Sequence, residues 1–289
     1  FNLYTAGFFS YQESHWNALA SGLSRILLLS LVLLCVLSLQ GFFLINLLTF
    51  LVTLLCSIGA FLFFLAVRKW PVTLLSPGSI WSRVREMWIQ SAQFAFLQIF
   101  STFLLMADLF VVSRILGLET VGEYFLVKRL YLVLASLHFA FLLPLWSAYT
   151  ESIESGDRAW AGRSLRKAAG ITLAVFAAGV LVLQFGGNDV IYWWTGKRIA
   201  NDPLFFWLGL WGLLYGWGNC FSVFLNAIGR LKIQVVLAGL AAAAFVPLSL
   251  WLGKPYGVEG VCGALILISL PFAILAPLES VRALQRPKE

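Results

Sequence analysis

FFLINLLTFLVTLLCSIGAFLFFLA, residues 42–66, runs from Phe42 to Ala66 without one charged side chain. About 20 mostly apolar residues of helix cross the hydrocarbon core of a bilayer, and this stretch exceeds that length. Its apolar residues do not alternate with polar ones, as the strands of a membrane barrel require. Backbone groups in lipid must be satisfied within the segment itself, so the stretch reads as a membrane-spanning helix. Working outward, the same pattern recurs at 21–39, 89–113, 121–147, 166–187, 203–228, 233–252 and 257–280. The predicted fold class is all-α, a polytopic membrane helical bundle of about eight transmembrane helices.

Composition agrees. Hydrophobic residues make up 61% of the 289 residues and charged ones 11%, where an average soluble chain is about 25% charged; mean hydropathy is +0.89. Lys and Arg divide unevenly between the two sides that alternating spans define. One side holds Arg25, Arg68, Lys69, Arg83, Arg85, Arg158, Arg163, Arg166, Lys167, Arg230, Lys232, Arg282, Arg286 and Lys288, and the other only Arg114, Lys197, Arg198 and Lys254. Short positive loops stay cytoplasmic, so both ends of the chain are expected there. Basic loops facing anionic lipid account for the net charge of +7 without a nucleic-acid partner.

Two connections carry information. Val67 to Met87 places Ile80, Trp81, Val84 and Trp88 on one face against Arg83, Arg85 and Glu86, the pattern of a helix lying in the interface. Gly187 to Asp202 is expected as the long outer loop, with Trp193 and Trp194 at belt depth and with Asn201 or Asp202 capping a helix that Pro203 opens. NALASGLSRI from Asn17 is faintly echoed by NAIGRLKI from Asn226, six helices later, as in transporters built from repeats. No Met opens the chain, and Phe1 to Ser10 lack the features of a signal peptide. The expectation is a piece of a longer protein.

Ionisable residues inside spans cost about 2.5 to 3.5 kcal/mol each on insertion scales, so the few present are informative. Asp108 lies near the outer end of the third span, and Lys128 and Arg129 lie in the outer part of the fourth. The two helices run oppositely, so the three groups share a depth, and an ion pair from Asp108 to Lys128 or Arg129 is feasible. Helical spacing then aligns three polar stripes: Gln98, Ser101 and Asp108; Tyr124, Lys128, Tyr131 and His138; and Tyr215, Asn219, Ser222 and Asn226. Together they are expected to line a hydrated cavity. Against this stands a bland reading, in which the ion pair fixes packing and Asn219, Asn226 and His138 bind neighbouring helices. Arg129 lies about 100° round from the Tyr124 stripe, at the cavity edge or beside Asp108.

Pro144, Pro247, Pro271 and Pro277 are expected to bend their spans, and Gly209, Gly212, Gly216 and Gly218 to let helices approach closely. Cys35, Cys56, Cys220 and Cys262 sit singly inside apolar runs and read as buried thiols. No catalytic, cofactor or metal motif is found; the expectation is a protein that is not an enzyme and carries no cofactor.

Several short segments resemble the Wzx-type polysaccharide transporter family of the multidrug/oligosaccharidyl-lipid/polysaccharide exporter superfamily. They are MADLFVVSRILGLETVGEYFLVKRL from Met106, LPLWSAYTESIESGDRAW from Leu143, YWWTGK at 192–197, NAIGRLKIQ at 226–234 and YGVEGV at 256–261. The resemblance implies MATE/flippase-like lobes of six helices around a central cavity, in a bacterial inner membrane. Residues 1–66 would then be the last two helices of an N-terminal lobe, 67–88 a cytoplasmic linker and 89–289 a complete C-terminal lobe. The cargo it implies is a polyprenyl-pyrophosphate-linked oligosaccharide, an O-antigen (lipopolysaccharide) or exopolysaccharide repeat unit, moved to the periplasmic leaflet by alternating access. Other glycan-assembly membrane proteins are the implied partners.

In that frame Lys128 and Arg129 are candidates for the pyrophosphate. Tyr124, Tyr131, Tyr215, Asn219 and Asn226 are candidates for the sugars. Asp108 either holds the cations until cargo arrives or takes up a coupling proton, and His138 is a second candidate proton carrier. A cation-coupled multidrug antiporter of the same superfamily is the alternative. A membrane glycan polymerase is disfavoured, because it calls for a large outer loop.

Overall fold

The computed structural model describes residues 14–37, 42–68 and 77–285. They form seven helices and no strand: α1 (Ser14–Leu37), α2 (Phe42–Arg68), α3 (Pro77–Leu116), α4 (Leu118–Glu154), α5 (Arg158–Thr195), α6 (Pro203–Ala227) and α7 (Lys232–Gln285). The chain divides at Ile80/Trp81 into two compact units. In the first, α1 lies along α2, with Trp16 tilted on Phe63 at 5.2 Å. In the second, α6 touches α4, α5 and α7.

Among the described residues six helices are long and apolar enough to cross a membrane; α1 is apolar only over Leu19–Leu34. Large apolar side chains such as Phe141 and Phe185 are largely exposed, a surface that only lipid or another apolar partner tolerates. This is an all-helical, multi-pass membrane protein, and the bilayer is its solvent.

The count of about eight holds once α7 is examined. As one rod its 54 residues would run about 81 Å. Gly257 instead adopts φ 62°, ψ −139°, a conformation that a side chain strongly disfavours. A Cβ added at Gly260 would meet Leu252 O at 2.1 Å and Gly253 N at 3.0 Å, although eight residues of straight helix span about 12 Å. The two arms therefore double back on each other. They correspond to the spans expected at 233–252 and 257–280, with a one-residue hinge in place of a loop.

Helices overrun their apolar limits elsewhere too. The outer loop expected from Gly187 shrinks, because α5 continues to Thr195 and ends at Gly196; Trp193 and Trp194 belong to its last turn. The backbone stops at its capping residues rather than where hydrophobicity stops. Asp202 takes the N-cap position of α6 with Pro203 following. Helix also continues through Pro144, Pro247, Pro271 and Pro277. The interfacial helix expected in the linker is continuous with the third span in α3. Residues 69–76, the side chains of Ile80 and of 82–87, and those of Asn17 and Cys35 lie outside the described set. Cys56, Cys220 and Cys262 are free thiols, the latter two buried.

α6 is the central helix: 61% of its apolar stretch is buried, against 22% or less in α3, α4 and α5. Its glycines make that possible. A Cβ on Gly212 would touch the Tyr131 ring at 3.2 Å, and one on Gly216 would lie 2.1 Å from Phe176. One face of α6 thus seats a ring from α4 and another from α5.

Replacing Gly260 by Ala puts a methyl into backbone that has no rotamer to yield. It should destabilise the protein by ~3 kcal/mol, the top of the usual overpacking range. Gly263→Ala, where an added Cβ meets nothing within 4 Å, should melt like the parent. Thermal unfolding in detergent followed by size exclusion distinguishes the two, and equal melting would contradict the doubled-back α7.

Candidate functional site

Asp108 on α3 is completely buried, as is Tyr124; Lys128 is 2% exposed. Tyr124 and Lys128 are one turn apart on α4, so both reach the same carboxylate. Lys128 Nζ forms an ion pair with Asp108 Oδ2, and Tyr124 OH donates to the same oxygen at 2.5 Å. Asp108 Oδ1 accepts from Leu109 N at 2.9 Å. Lys128 Nζ also donates to Leu105 O at 2.9 Å and lies 5.1 Å from the centre of the Trp211 ring. Every charge in this cluster is paired, as burial demands.

A separate cavity of about 300 Å³ lies among α3, α6 and both arms of α7. Its hydrogen-bonding wall is Gln98 and Ser101 from α3, Tyr215, Asn219, Ser222 and Asn226 from α6, and Gln234 and Ser269 from α7. Trp211, stacked on Tyr215 at 5.3 Å, and Leu105 complete the side nearest the ion pair. None of the lining residues carries a charge. Gln234 Nε2 donates to Asn226 Oδ1 at 2.7 Å, while Gln234 Oε1 is buried without a partner.

The structure brings the predicted residues together only in part. The α6 stripe of Tyr215, Asn219, Ser222 and Asn226 lines the cavity as a unit, together with Gln98 and Ser101. The α4 stripe does not. Tyr131 is buried and donates to Phe205 O at 2.8 Å. His138 is buried between α4 and α5, 2.9 Å from Thr172 Oγ1 and edge-on to Phe176 at 5.5 Å. Because the Thr172 hydroxyl is spent on Ala168 O, His138 Nε2 is the donor in that contact. Asp108, Tyr124 and Lys128 are absent from the lining, and Lys128 stands behind the wall in contact with Leu105 and Trp211.

Arg129 points elsewhere: it is exposed, on the side of α4 that also presents Phe125, Val133 and Leu137. Its one-residue offset from Lys128 turns it about 100° away. Gln234 and Ser269 join the wall without having been singled out in the sequence. The signal for Gln234 was its place in the first turn of a span, eight residues beyond Asn226. Among the described residues no group of three metal-ligating side chains occurs.

No family model matches the chain, and no curated protein matches it. Among solved structures, the fold is similar to an outward-facing multidrug resistance MATE family transporter of the MOP superfamily. Their TM-score is 0.71 at 17% identity, over 95% of this chain and 64% of that one. A point mutant of a MATE protein gives a TM-score of 0.71 at 17% identity, over 94% and 62%. The chain thus has the MATE fold and spans less than two thirds of the length of either structure.

Removing one partner of the buried pair strands the other charge. Asp108→Asn or Lys128→Met should each cost about 3 to 5 kcal/mol, and the double variant should be more stable than either. Chemical or thermal unfolding of the three proteins measures this; a double variant at the sum of the singles would mean that the two groups do not interact.

Proposed function

We propose that this chain belongs to a transporter of the MOP superfamily that flips polyprenyl-pyrophosphate-linked oligosaccharide from the cytoplasmic to the periplasmic leaflet by alternating access. In this reading α1 and α2 end one lobe and residues 89–289 form the next. The observation that carries the substrate class is the cavity wall. Its amides and hydroxyls, its Trp211–Tyr215 stack and the absence of charge among its lining residues suit an uncharged polyhydroxylated cargo. A cationic drug would call for a carboxylate in that wall. Gln234 Oε1, buried and unpartnered, offers an acceptor that a sugar hydroxyl satisfies.

The diphosphate needs cations, and two are candidates in different ways. Arg129 stands among the exposed apolar side chains of Phe125, Val133 and Leu137, where lipid alone would penalise it by about 2.5 to 3.5 kcal/mol; an anionic cargo or a wet cavity on that side removes the penalty. Lys128 is held in reserve one side chain behind the wall. Either a phosphate competing for Lys128 or a proton taken up by Asp108 frees it. The basic loops orient both ends of the chain toward the cytoplasm, where such cargo is assembled, with other glycan-assembly membrane proteins as neighbours.

A second reading, a cation-coupled multidrug antiporter, draws on the solved MATE structures and on the buried Asp108 carboxylate. Transport by the full-length protein in liposomes separates the two. With a fluorescent polyprenyl-diphosphate oligosaccharide, Arg129→Ala and Asn219→Ala should each slow flipping about tenfold, the loss of ~1.4 kcal/mol, while insertion is unchanged. Export of a cationic dye that Asp108→Asn abolishes, with no flipping of the lipid-linked sugar, would establish the antiporter instead.

A further inference from the structure

One end of the neutral cavity has a chemistry of its own. Gln234 is 1% exposed; its Nε2 donates to Asn226 Oδ1 at 2.7 Å, while Oε1 is buried with no partner. Asn226 gives its oxygen to that bond, and its Nδ2 donates to no other described residue. The linked pair therefore presents one unmet acceptor and one unmet donor. The two residues flank the segment that carries Arg230 and Lys232, so they sit at the end of the cavity nearest the basic loops.

Apolar wall adjoins the pair. Leu237, Ala238 and Ala241 follow Gln234 at three, four and seven residues, which puts them on its face of α7, and all three line the cavity with it. Because two of them are alanines, the wall beside the amides is a shallow apolar hollow. Across from it, Asn219 and Ser222 continue the hydrogen-bonding wall of α6 away from Asn226.

We infer that this end of the cavity is a subsite for the acetamido group of an N-acetylated sugar. The inference rests on the reading of the cavity as a cargo site and narrows it to one substituent. An amide N–H carries one donor and no lone pair, whereas a hydroxyl brings a donor together with two acceptor lone pairs. At an oxygen shut away from water, the N–H is satisfied by the single bond it makes. A hydroxyl would carry its lone pairs into the same dry position, where unmet polar atoms are costly. The acetyl carbonyl takes the Asn226 Nδ2 donor, and the methyl fills the hollow at Ala238 and Ala241; a hydroxyl has nothing to place there. No backbone movement is required, because the last torsion of a glutamine side chain is broad and lets Oε1 turn toward the cavity.

The test uses the full chain purified in detergent, with diacetylchitobiose and cellobiose as probes, two disaccharides that differ only in acetamido against hydroxyl. Isothermal titration should show the acetamido disaccharide bound about tenfold more tightly, the effect of one bond made to a buried unpartnered acceptor. Gln234→Met keeps the length of the side chain and removes the acceptor; it should bring the two affinities together and leave that for cellobiose unchanged. Ala241→Leu, which fills the hollow and keeps both amides, should also erase the preference. Equal binding of the two probes by the parent, or a preference that survives both substitutions, would overturn the subsite. Flipping of lipid-linked sugars in liposomes reports separately on transport. A preference for the acetamido probe without flipping would unseat the transport reading and keep the subsite, and flipping without the preference would do the reverse.

Discussion

A carboxylate with no access to water governs the second unit of this protein. Asp108 accepts from Lys128, Tyr124 and the Leu109 amide, and in a membrane interior each contact is compulsory. An ionised carboxylate without them would neutralise rather than stay buried. Compulsion makes the cluster a positional device: it fixes the rotation of α3 against α4. It also sets the rotation of α4 as a whole. With Tyr124 and Lys128 turned inward, Tyr131 and His138, further along the same stripe, must find partners inside as well. They do so in Phe205 O and Thr172.

That rotation is affordable because α6 is thin. Tyr131 lies against Gly209 and Gly212, and Phe176 occupies the space that a side chain at Gly216 would need. Helices in lipid gain little from burying apolar surface against one another, so close backbone approach and interhelical hydrogen bonds carry the association. The remaining face of α6, from Tyr215 to Asn226, borders the cavity, and Asn226 meets Gln234 of α7 at its edge. A polar stripe released from packing duty is what becomes a cavity wall.

The same contrast explains what could be read from the sequence. Periodicity and hydropathy sufficed for the helices, because a span must satisfy its own backbone and so announces itself locally. They sufficed for the α6 stripe too. For the α4 stripe they left two readings open, a cavity wall or an ion pair with interhelical contacts, because spacing shows only that a set of polar residues avoids lipid. Water in a cavity and a carboxylate on the next helix satisfy Lys128 equally well on paper. The discriminating information was pairwise, the meeting of Asp108 with Lys128, and one chain read alone holds no pairwise signal beyond matched depth. Arg129 differs. Its phase, one residue off the stripe, already set it apart, and it is exposed where Lys128 is buried. The Gly257 hinge was hidden for another reason, since a loop and a one-residue reversal leave the same gap between two apolar runs.

The buried pair and the neutral cavity are also joined energetically. Lys128 holds the Leu105 carbonyl and faces the Trp211 ring, and both residues form cavity wall. Loss of charge on Asp108 loosens Lys128, and a loosened Lys128 withdraws a hydrogen bond and a cation from that wall. The wall's shape therefore depends on the protonation and pairing of groups it does not contain. Linkage makes any such dependence mutual: a ligand that displaced Trp211 would bear on the pair as well. Neutral groups that line a cavity and a buried charged pair thus stand in one compact unit, separated by one aromatic side chain.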